Sequence, residues 1–248
     1  MPNHELPVID SVPAKTLPAR AGTALGRRLV AEFAGTAALA AVVIGSGIAA
    51  EQLSPGDIGL QLLENSTASA FGLAVLILAF GPISGAHLNP VVSLADWLAG
   101  RRGRGGLTTG DLGAYVAAQC GGAVFGALLA NAMFDRAVVQ IASHHRVTGG
   151  HLIGEMLAAA GLIVVGFAAA RHGRGVSALA VATYIGSAIW FTSSGSFANP
   201  ALTLGRMFSD SFTGIAPASV PAFVVAQIVG GLAGLSLMTL LYRPSAER

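Results

Sequence analysis

Two asparagine–proline pairs could bind a polar solute inside a chain that is otherwise strongly apolar. Asn89 and Pro90 lie in the stretch 87–92, and a near copy with Asn199 and Pro200 follows 110 residues later. Asn is a preferred helix N-cap because its side chain accepts hydrogen bonds from the first turn, and Pro fits the first helical position. Each pair therefore predicts a helix start, where a side-chain amide and free backbone N–H groups could donate to water or to a hydroxyl.

The composition indicates where these helix starts lie. Of 248 residues, 53% are hydrophobic and 10% are charged, with a mean hydropathy of +0.68. A soluble domain carries about 25% charged residues, so the deficit indicates a polytopic membrane protein, and the net charge of +2 gives no sign of a nucleic-acid partner. A helix start at membrane depth needs a protein interior or a water-filled cavity around it. The two starts therefore predict a lined pathway.

The apolar segments predict an all-α membrane protein with six transmembrane helices and two re-entrant half-helices. Roughly 20 apolar residues span a bilayer core. Six segments approach that length, at about 28–50, 66–83, 112–134, 152–170, 176–193 and 220–242. About ten helix-compatible residues follow each asparagine–proline pair, which gives about 15 Å, or half of a bilayer core. These two short segments can re-enter the membrane but cannot cross it.

The chain divides into two similar halves, at about 27–135 and 151–242, between a tail at 1–26 and a tail at 243–248. Each half has an acidic residue in its first span, a Ser-Gly pair ahead of the asparagine, and a glutamine with two glycines in its last span. These are Glu32, Ser84-Gly85, Gln119, Gly122 and Gly126 in one half and Glu155, Ser194-Gly195, Gln227, Gly230 and Gly234 in the other. Because each half has three spans, an odd number, the second half has the opposite orientation in the membrane. Inverted repeats with broken helices are typical of transport proteins.

The basic residues predict the orientation in the membrane. Eleven of the 14 lie before or at the start of the first span, after the last span, or in alternate loops, and the other three are Arg136, Arg146 and Arg206. By the positive-inside rule, both termini are cytoplasmic, and we expect a multi-pass protein of the inner (plasma) membrane. The first half-helix then enters from the cytoplasm and the second from outside.

The sequence resembles the aquaporin, or major intrinsic protein, family over about residues 27–242. The residues that carry the resemblance are Ser84-Gly85-Ala86-His87-Leu88-Asn89-Pro90-Val91, Asn199-Pro200-Ala201, Glu32 and Glu155. The resemblance implies a right-handed helix bundle, a homotetramer with one pore per subunit, and the two asparagine–proline motifs at the pore centre. The first motif ends in Val91 rather than Ala. The carbonyls implied to line the pore belong to Gly85, Ala86, His87, Gly195, Ser196 and Phe197.

One position departs from the family pattern, and it usually holds the arginine of the selectivity filter. This position, the third after the second asparagine, is Leu202. Spacing carries the other filter positions to Ser69, Ser187 and Ser196, with Gly186 as the alternative to Ser187. Three hydroxyls and a leucine predict a wide, permissive constriction without fixed charge. Family branches that lack the filter arginine are associated with metalloid solutes such as arsenicals, and this chain could belong among them.

Several charged or titratable residues keep two interpretations. Arg206 lies one turn beyond Leu202 and either places charge in the outer vestibule or faces lipid headgroups. Glu32 and Glu155 either accept hydrogen bonds from the re-entrant loops or act as proton-coupled carboxylates. His87 either ties down its loop or takes a direct part in the pore.

The residues and the resemblance together predict a passive channel for water and small uncharged solutes, including glycerol-like polyols, urea and metalloid or arsenical acids. The alternative is a gradient-coupled secondary transporter that uses Glu32 or Glu155. No nucleophile–base pair, phosphate-binding loop or metal-ligand cluster stands out, so we expect no enzyme activity, no cofactor and no metal. The expected partners are water, small neutral solutes, the lipid bilayer and further copies of the chain, with no nucleic acid.

Overall fold

The computed structural model describes residues 23–101 and 105–242, and these contain α-helices but no β-strand. The helices in chain order are α1 (Leu25–Leu53), α2 (Ile58–Ser84), α3 (Pro90–Gly100), α4 (Thr109–Met133), α5 (Gly149–Ala169), α6 (Arg174–Phe191), α7 (Pro200–Gly205) and α8 (Val220–Leu241). The predicted tails lie outside the described residues except for 23–26, and so do Arg102 and Arg104, two of the basic residues used for the orientation.

The helices follow the order long, long, short, long, and this order occurs twice along the chain. Within the described part of the chain, α1, α2, α4, α5 and α8 are long and apolar enough to span a membrane. The sixth span is α6, whose 18 residues rise about 27 Å. The half-helices α3 and α7 follow α2 and α6. The fold class predicted from the sequence is therefore confirmed.

Two helices differ from the prediction by more than three residues at one end. Helix α2 begins eight residues earlier than predicted, at Ile58, because polar side chains in its first turns find partners: Gln61 donates to the carbonyl of Ser54 (2.9 Å) and Asn65 to that of Val43 (2.8 Å). Helix α7 is shorter, with six residues against eleven in α3, and continues as one 3₁₀ turn. The chain folds back at this turn.

Glycines bring α1 against α4, and α5 against α8, in the same way. A Cβ atom on Gly126 of α4 would overlap the carbonyl oxygen of Ala37 in α1, and a Cβ atom on Gly234 of α8 would overlap that of Ala160 in α5. The glycine one turn earlier in each helix makes the equivalent contact. Such close backbone approach stabilises helix pairs in lipid, where the hydrophobic effect does not drive association.

Candidate functional site

Asn89 and Asn199 join the two re-entrant loops. The Nδ2 of Asn89 donates to the carbonyl of Ala198 (2.7 Å), and the Nδ2 of Asn199 donates to the carbonyl of Leu88 (2.8 Å). The Oδ1 of each asparagine accepts from the backbone N–H two residues ahead, at 2.9 Å and 3.0 Å. Each asparagine thus caps its own half-helix and binds the opposite loop, so the tips of α3 and α7 meet.

Each asparagine side-chain amide has a second N–H that its contact with the opposite loop does not use. A side-chain amide has two donors, and one of them has a partner among the described residues. Both asparagines line a cavity of about 110 Å³. Pro90 and Pro200 occupy the first helical positions, and a helix N-terminus carries roughly half a positive charge. The cavity therefore receives two partial positive charges and two amide donors. The last motif residues, Val91 and Ala201, are buried behind the tips.

The loops ahead of the two half-helices share one backbone conformation. The angle φ is positive at Gly85, Ala86 and Leu88 in the first loop and at Gly195, Ser196 and Ala198 in the second. Residues other than glycine rarely adopt this conformation, so other parts of the molecule must hold the loops. The residues expected to supply pore carbonyls all line the cavity: Gly85, Ala86, His87, Gly195, Ser196 and Phe197.

Glu32 holds the first loop. Its Oε1 accepts from the hydroxyl of Ser84 (2.6 Å) and the backbone N–H of His87 (3.0 Å). Its Oε2 accepts from the backbone N–H of Leu88 (2.7 Å) and the Nε2 of Gln119 (2.7 Å). Four fixed donors surround this fully buried carboxylate, and they supply the restraint that the loop conformation requires.

Glu155 holds the second loop in the same manner. Its Oε1 accepts from the backbone N–H of Phe197 (2.9 Å), and its Oε2 accepts from that of Ala198 (2.8 Å) and from the Nε2 of Gln227 (2.6 Å). Gln227 also donates to the Oγ1 of Thr203 (2.8 Å). Neither this carboxylate nor its counterpart in the first half lines the cavity.

Ser93 and Thr203 complete these networks, although the sequence interpretation did not single them out. Gln119 donates to the Oγ of Ser93 (2.9 Å), as Gln227 does to Thr203. The Nδ1 of His87 lies 3.0 Å from the same Ser93 hydroxyl, so this contact ties the histidine to its half-helix. A signal was present in the sequence, because the two hydroxyl residues lie 110 positions apart, as the asparagines do.

Three of the four residues expected in the selectivity filter line the cavity. Ser69 is 3% exposed, Ser196 is 5% exposed and Leu202 is 6% exposed, and all three contribute to the same wall. The hydroxyls of the two serines are buried and have no hydrogen-bond partner in the described part of the chain. Buried polar groups are rarely left unpaired, so these two hydroxyls are candidates to bind a solute.

Ser187 does not line the cavity, and its placement in the filter is wrong. Its side chain is exposed on α6, and its hydroxyl donates to the carbonyl of Thr183 (2.8 Å). The cavity is lined instead by Ile185 and Ile189 of this helix, which share one face because they are four residues apart. Ser187 lies about 200° around the helix from each of them. The alternative, Gly186, is not a lining residue either.

Arg206 is buried and lines the cavity. It is 7% exposed, and its Nε donates to the carbonyl of Thr213 (2.5 Å). Its guanidinium carbon lies 3.3 Å from the ring centroid of Phe197, another lining residue. This geometry favours a position in the outer vestibule over one among lipid headgroups.

A pathway lined by two opposed half-helices inside a six-span inverted repeat defines a membrane channel. The family model for the major intrinsic proteins matches residues 21–193. The chain is 43% identical to the aquaglyceroporin AqpS of Rhizobium meliloti over 221 residues, which cover 89% of this chain and 92% of that protein. It is 30% identical to aquaporin-2 of Rattus norvegicus over 249 residues, covering 90% of this chain and 82% of the relative. The solved aquaglyceroporin from Plasmodium falciparum shares the fold, with a TM-score of 0.61 and 20% identity over 90% of this chain and 98% of that one.

The chain therefore belongs to the major intrinsic protein family. It is a multi-pass membrane protein and a passive channel for water and small solutes, and it is not an enzyme. Nothing in these relatives supports the gradient-coupled transporter considered above. The contacts of Glu32 and Glu155 with the loops give both carboxylates a structural explanation.

Proposed function

We propose that the channel passes small uncharged solutes wider than water, such as urea and glycerol-like polyols, as well as water itself. The asparagine–proline motifs form the centre of its pore in this proposal. The observation that carries it is that the predicted filter positions Ser69, Ser196 and Leu202, together with Ile189, line the cavity with uncharged side chains. The relative with 43% identity is named an aquaglyceroporin, which supports solutes beyond water.

The constriction offers a solute one polar side and one apolar side. Each hydroxyl of Ser69 and Ser196 can both donate and accept, and neither has a partner among the residues described. A polyol or urea leaving bulk water loses hydrogen bonds, and these hydroxyls replace some of them. Its remaining surface rests on Leu202 and Ile189. A neutral metalloid acid, which is also small and polyhydroxylated, meets the same requirements.

We further propose a homotetramer in the inner membrane with cytoplasmic termini. Large apolar side chains are exposed on helices of both halves, among them Phe71 (70%) on α2 and Ile153 (62%) on α5. Lipid or a neighbouring subunit must cover such surface. Arg27, Arg101 and Arg174 lie at helix ends that this topology assigns to the cytoplasmic side, which agrees with the positive-inside rule.

Stopped-flow light scattering on proteoliposomes tests the proposed function. We expect water, urea and glycerol fluxes well above those of empty vesicles, with a low activation energy and no dependence on a proton gradient. A channel that conducts water but neither urea nor glycerol would contradict the proposed selectivity. Flux that requires a proton gradient would contradict the passive mechanism itself.

Ile189→Trp is expected to lower urea and glycerol flux more than water flux. The rings of tryptophan fill space in the cavity that Ile189 lines. A steric barrier of about 1.4 kcal/mol lowers the flux tenfold. Ser187→Trp is the matched control, because it introduces the same tryptophan on the exposed face of the same helix. Equal loss of solute flux in both variants would show that Ile189 does not form the constriction.

Leu202→Arg is expected to suppress urea and glycerol by about tenfold or more while reducing water flux less. The larger side chain narrows the constriction, and its charge lies one turn from Arg206. The measurement is the ratio of solute to water permeability in vesicles. An unchanged ratio would remove position 202 from the constriction.

A further inference from the structure

Arg206 is a buried cation without a carboxylate partner in the described part of the chain. A buried charge is costly unless it is paired or serves a function. Among the residues that the structure describes, its Nε donates to the carbonyl of Thr213, and its guanidinium stacks on the ring of Phe197. Arg206 and Phe197 both line the cavity. A solute in the outer half of the pore therefore meets the charge of Arg206.

A second arginine contacts the same aromatic ring and does not line the cavity. Arg146 donates to the carbonyls of Gly214 (2.7 Å) and Phe212 (2.8 Å), and its guanidinium carbon lies 5.4 Å from the centroid of Phe197. Burial lowers the pKa of Arg146, and the charge of Glu155 opposes this effect. Arginine nevertheless stays protonated in proteins. The outer mouth therefore holds two cations around one aromatic ring.

The inverted repeat allows Arg206 to be compared with the residue at the corresponding position of the first half. The residue seventh after the first asparagine is Asp96, as Arg206 is seventh after the second. Asp96 is fully buried, and its Oδ2 accepts from the backbone N–H of Leu107 (3.0 Å) in the following loop. Both residues thus bind the loop that follows their half-helix. Arg206 differs because it also lines the cavity.

We propose that Arg206 is the charge-selecting residue of this channel and acts one helical turn outward from the uncharged constriction. Four residues correspond to about 6 Å along a helix. For a cation about 6 Å from the guanidinium and an effective dielectric constant of about 20, like-charge repulsion lowers cation occupancy about 100-fold. Leu202 and its neighbours would then select by size and polarity, while Arg206 selects by charge. This division rests on the proposed function, because it assumes that neutral solutes pass.

Three planar probes of similar size test the charge directly: urea is neutral, guanidinium is a cation and nitrate is an anion. Their fluxes are measured in phosphatidylcholine–phosphatidylglycerol vesicles and scaled to the amount of folded protein. Arg206→Gln keeps a donor for Thr213 but removes the charge, Arg206→Lys keeps the charge, and Arg206→Met removes both. We expect guanidinium flux relative to urea to rise about tenfold or more in the Gln and Met variants, with nitrate relative to urea falling. The Lys variant should stay near the wild-type ratios.

Arg136→Gln is the control, because it removes an outer arginine that does not line the cavity and should leave these ratios unchanged. An unchanged guanidinium ratio in Arg206→Gln overturns the proposal, as does a change confined to Arg206→Met, which would assign the residue to binding its loop alone. Each flux is also referred to water flux. If urea fails to pass the wild-type channel, the proposed function fails, and the guanidinium-to-water ratio still decides the role of Arg206.

Discussion

Glu155→Gln is expected to abolish most water and solute flux and to lower the yield of folded protein. The carboxylate accepts from two loop N–H groups and from Gln227. A glutamine has one acceptor oxygen, so its NH₂ group must face at least one of these donors. Each buried donor left without an acceptor costs about 1–3 kcal/mol. The loop that carries Asn199 then loses its restraint.

The matched control is Glu64→Gln on α2, because Glu64 holds no re-entrant loop and accepts instead from the hydroxyl of Ser54 (2.7 Å). This control should stay near wild-type flux and thermal stability in detergent. The double variant Glu155→Gln/Gln227→Glu keeps a carboxylate in the same network. Position 155 then has one acceptor oxygen for the two loop N–H groups, so water and solute flux should remain low. Full activity in Glu155→Gln would show that the loop does not depend on this carboxylate.

Gly126→Ala is expected to destabilise the protein more than an ordinary glycine replacement. The new methyl group would overlap the carbonyl oxygen of Ala37, which belongs to the backbone and cannot rotate away. Helices α1 and α4 must then separate, and overpacking of this kind costs about 1–3 kcal/mol or more. The measurement is the midpoint of thermal unfolding in detergent, together with water flux in vesicles. Gly234→Ala should act in the same way on α5 and α8.

Gly113→Ala supplies the comparison within α4. A Cβ atom at Gly113 meets no other atom within 4 Å, and alanine favours a helix by about 1 kcal/mol over glycine. This variant should be as stable as the wild type or more stable. Equal destabilisation by alanine at positions 113 and 126 would mean that the contact between α1 and α4 does not require glycine at position 126.

The central part of the fold could be predicted because its signals are local and occur twice. An asparagine before a proline indicates a capped helix start whatever the surroundings. The repetition of this pair, with Glu32 and Glu155 at corresponding places, indicated the inverted repeat without any knowledge of contacts. The hydrogen bonds from these two carboxylates to the loops agree with the simpler of the two interpretations left open.

The wall of the cavity could not be predicted as well, because it depends on how each helix is rotated about its axis. A shift of two positions turns a side chain by about 200°, and this separates Ser187 from the lining residue Ile189. The pattern of apolar residues along α6 does not determine how the helix is rotated about its axis, because isoleucine is compatible with both lipid and the pore wall. The short length of α7 and the direction of the Arg206 side chain depend on the loop after α7. The sequence of this loop does not repeat that of the loop after α3.

The reciprocal hydrogen bonds between the loops also bear on biosynthesis. The amide of Asn89 and the carbonyl of Leu88 find their partners only in the second half of the chain. A polypeptide released from the ribosome after α4 would hold these polar groups in hydrocarbon without acceptor or donor. We expect membrane proteases to degrade such a fragment, so that premature termination yields no partial channel.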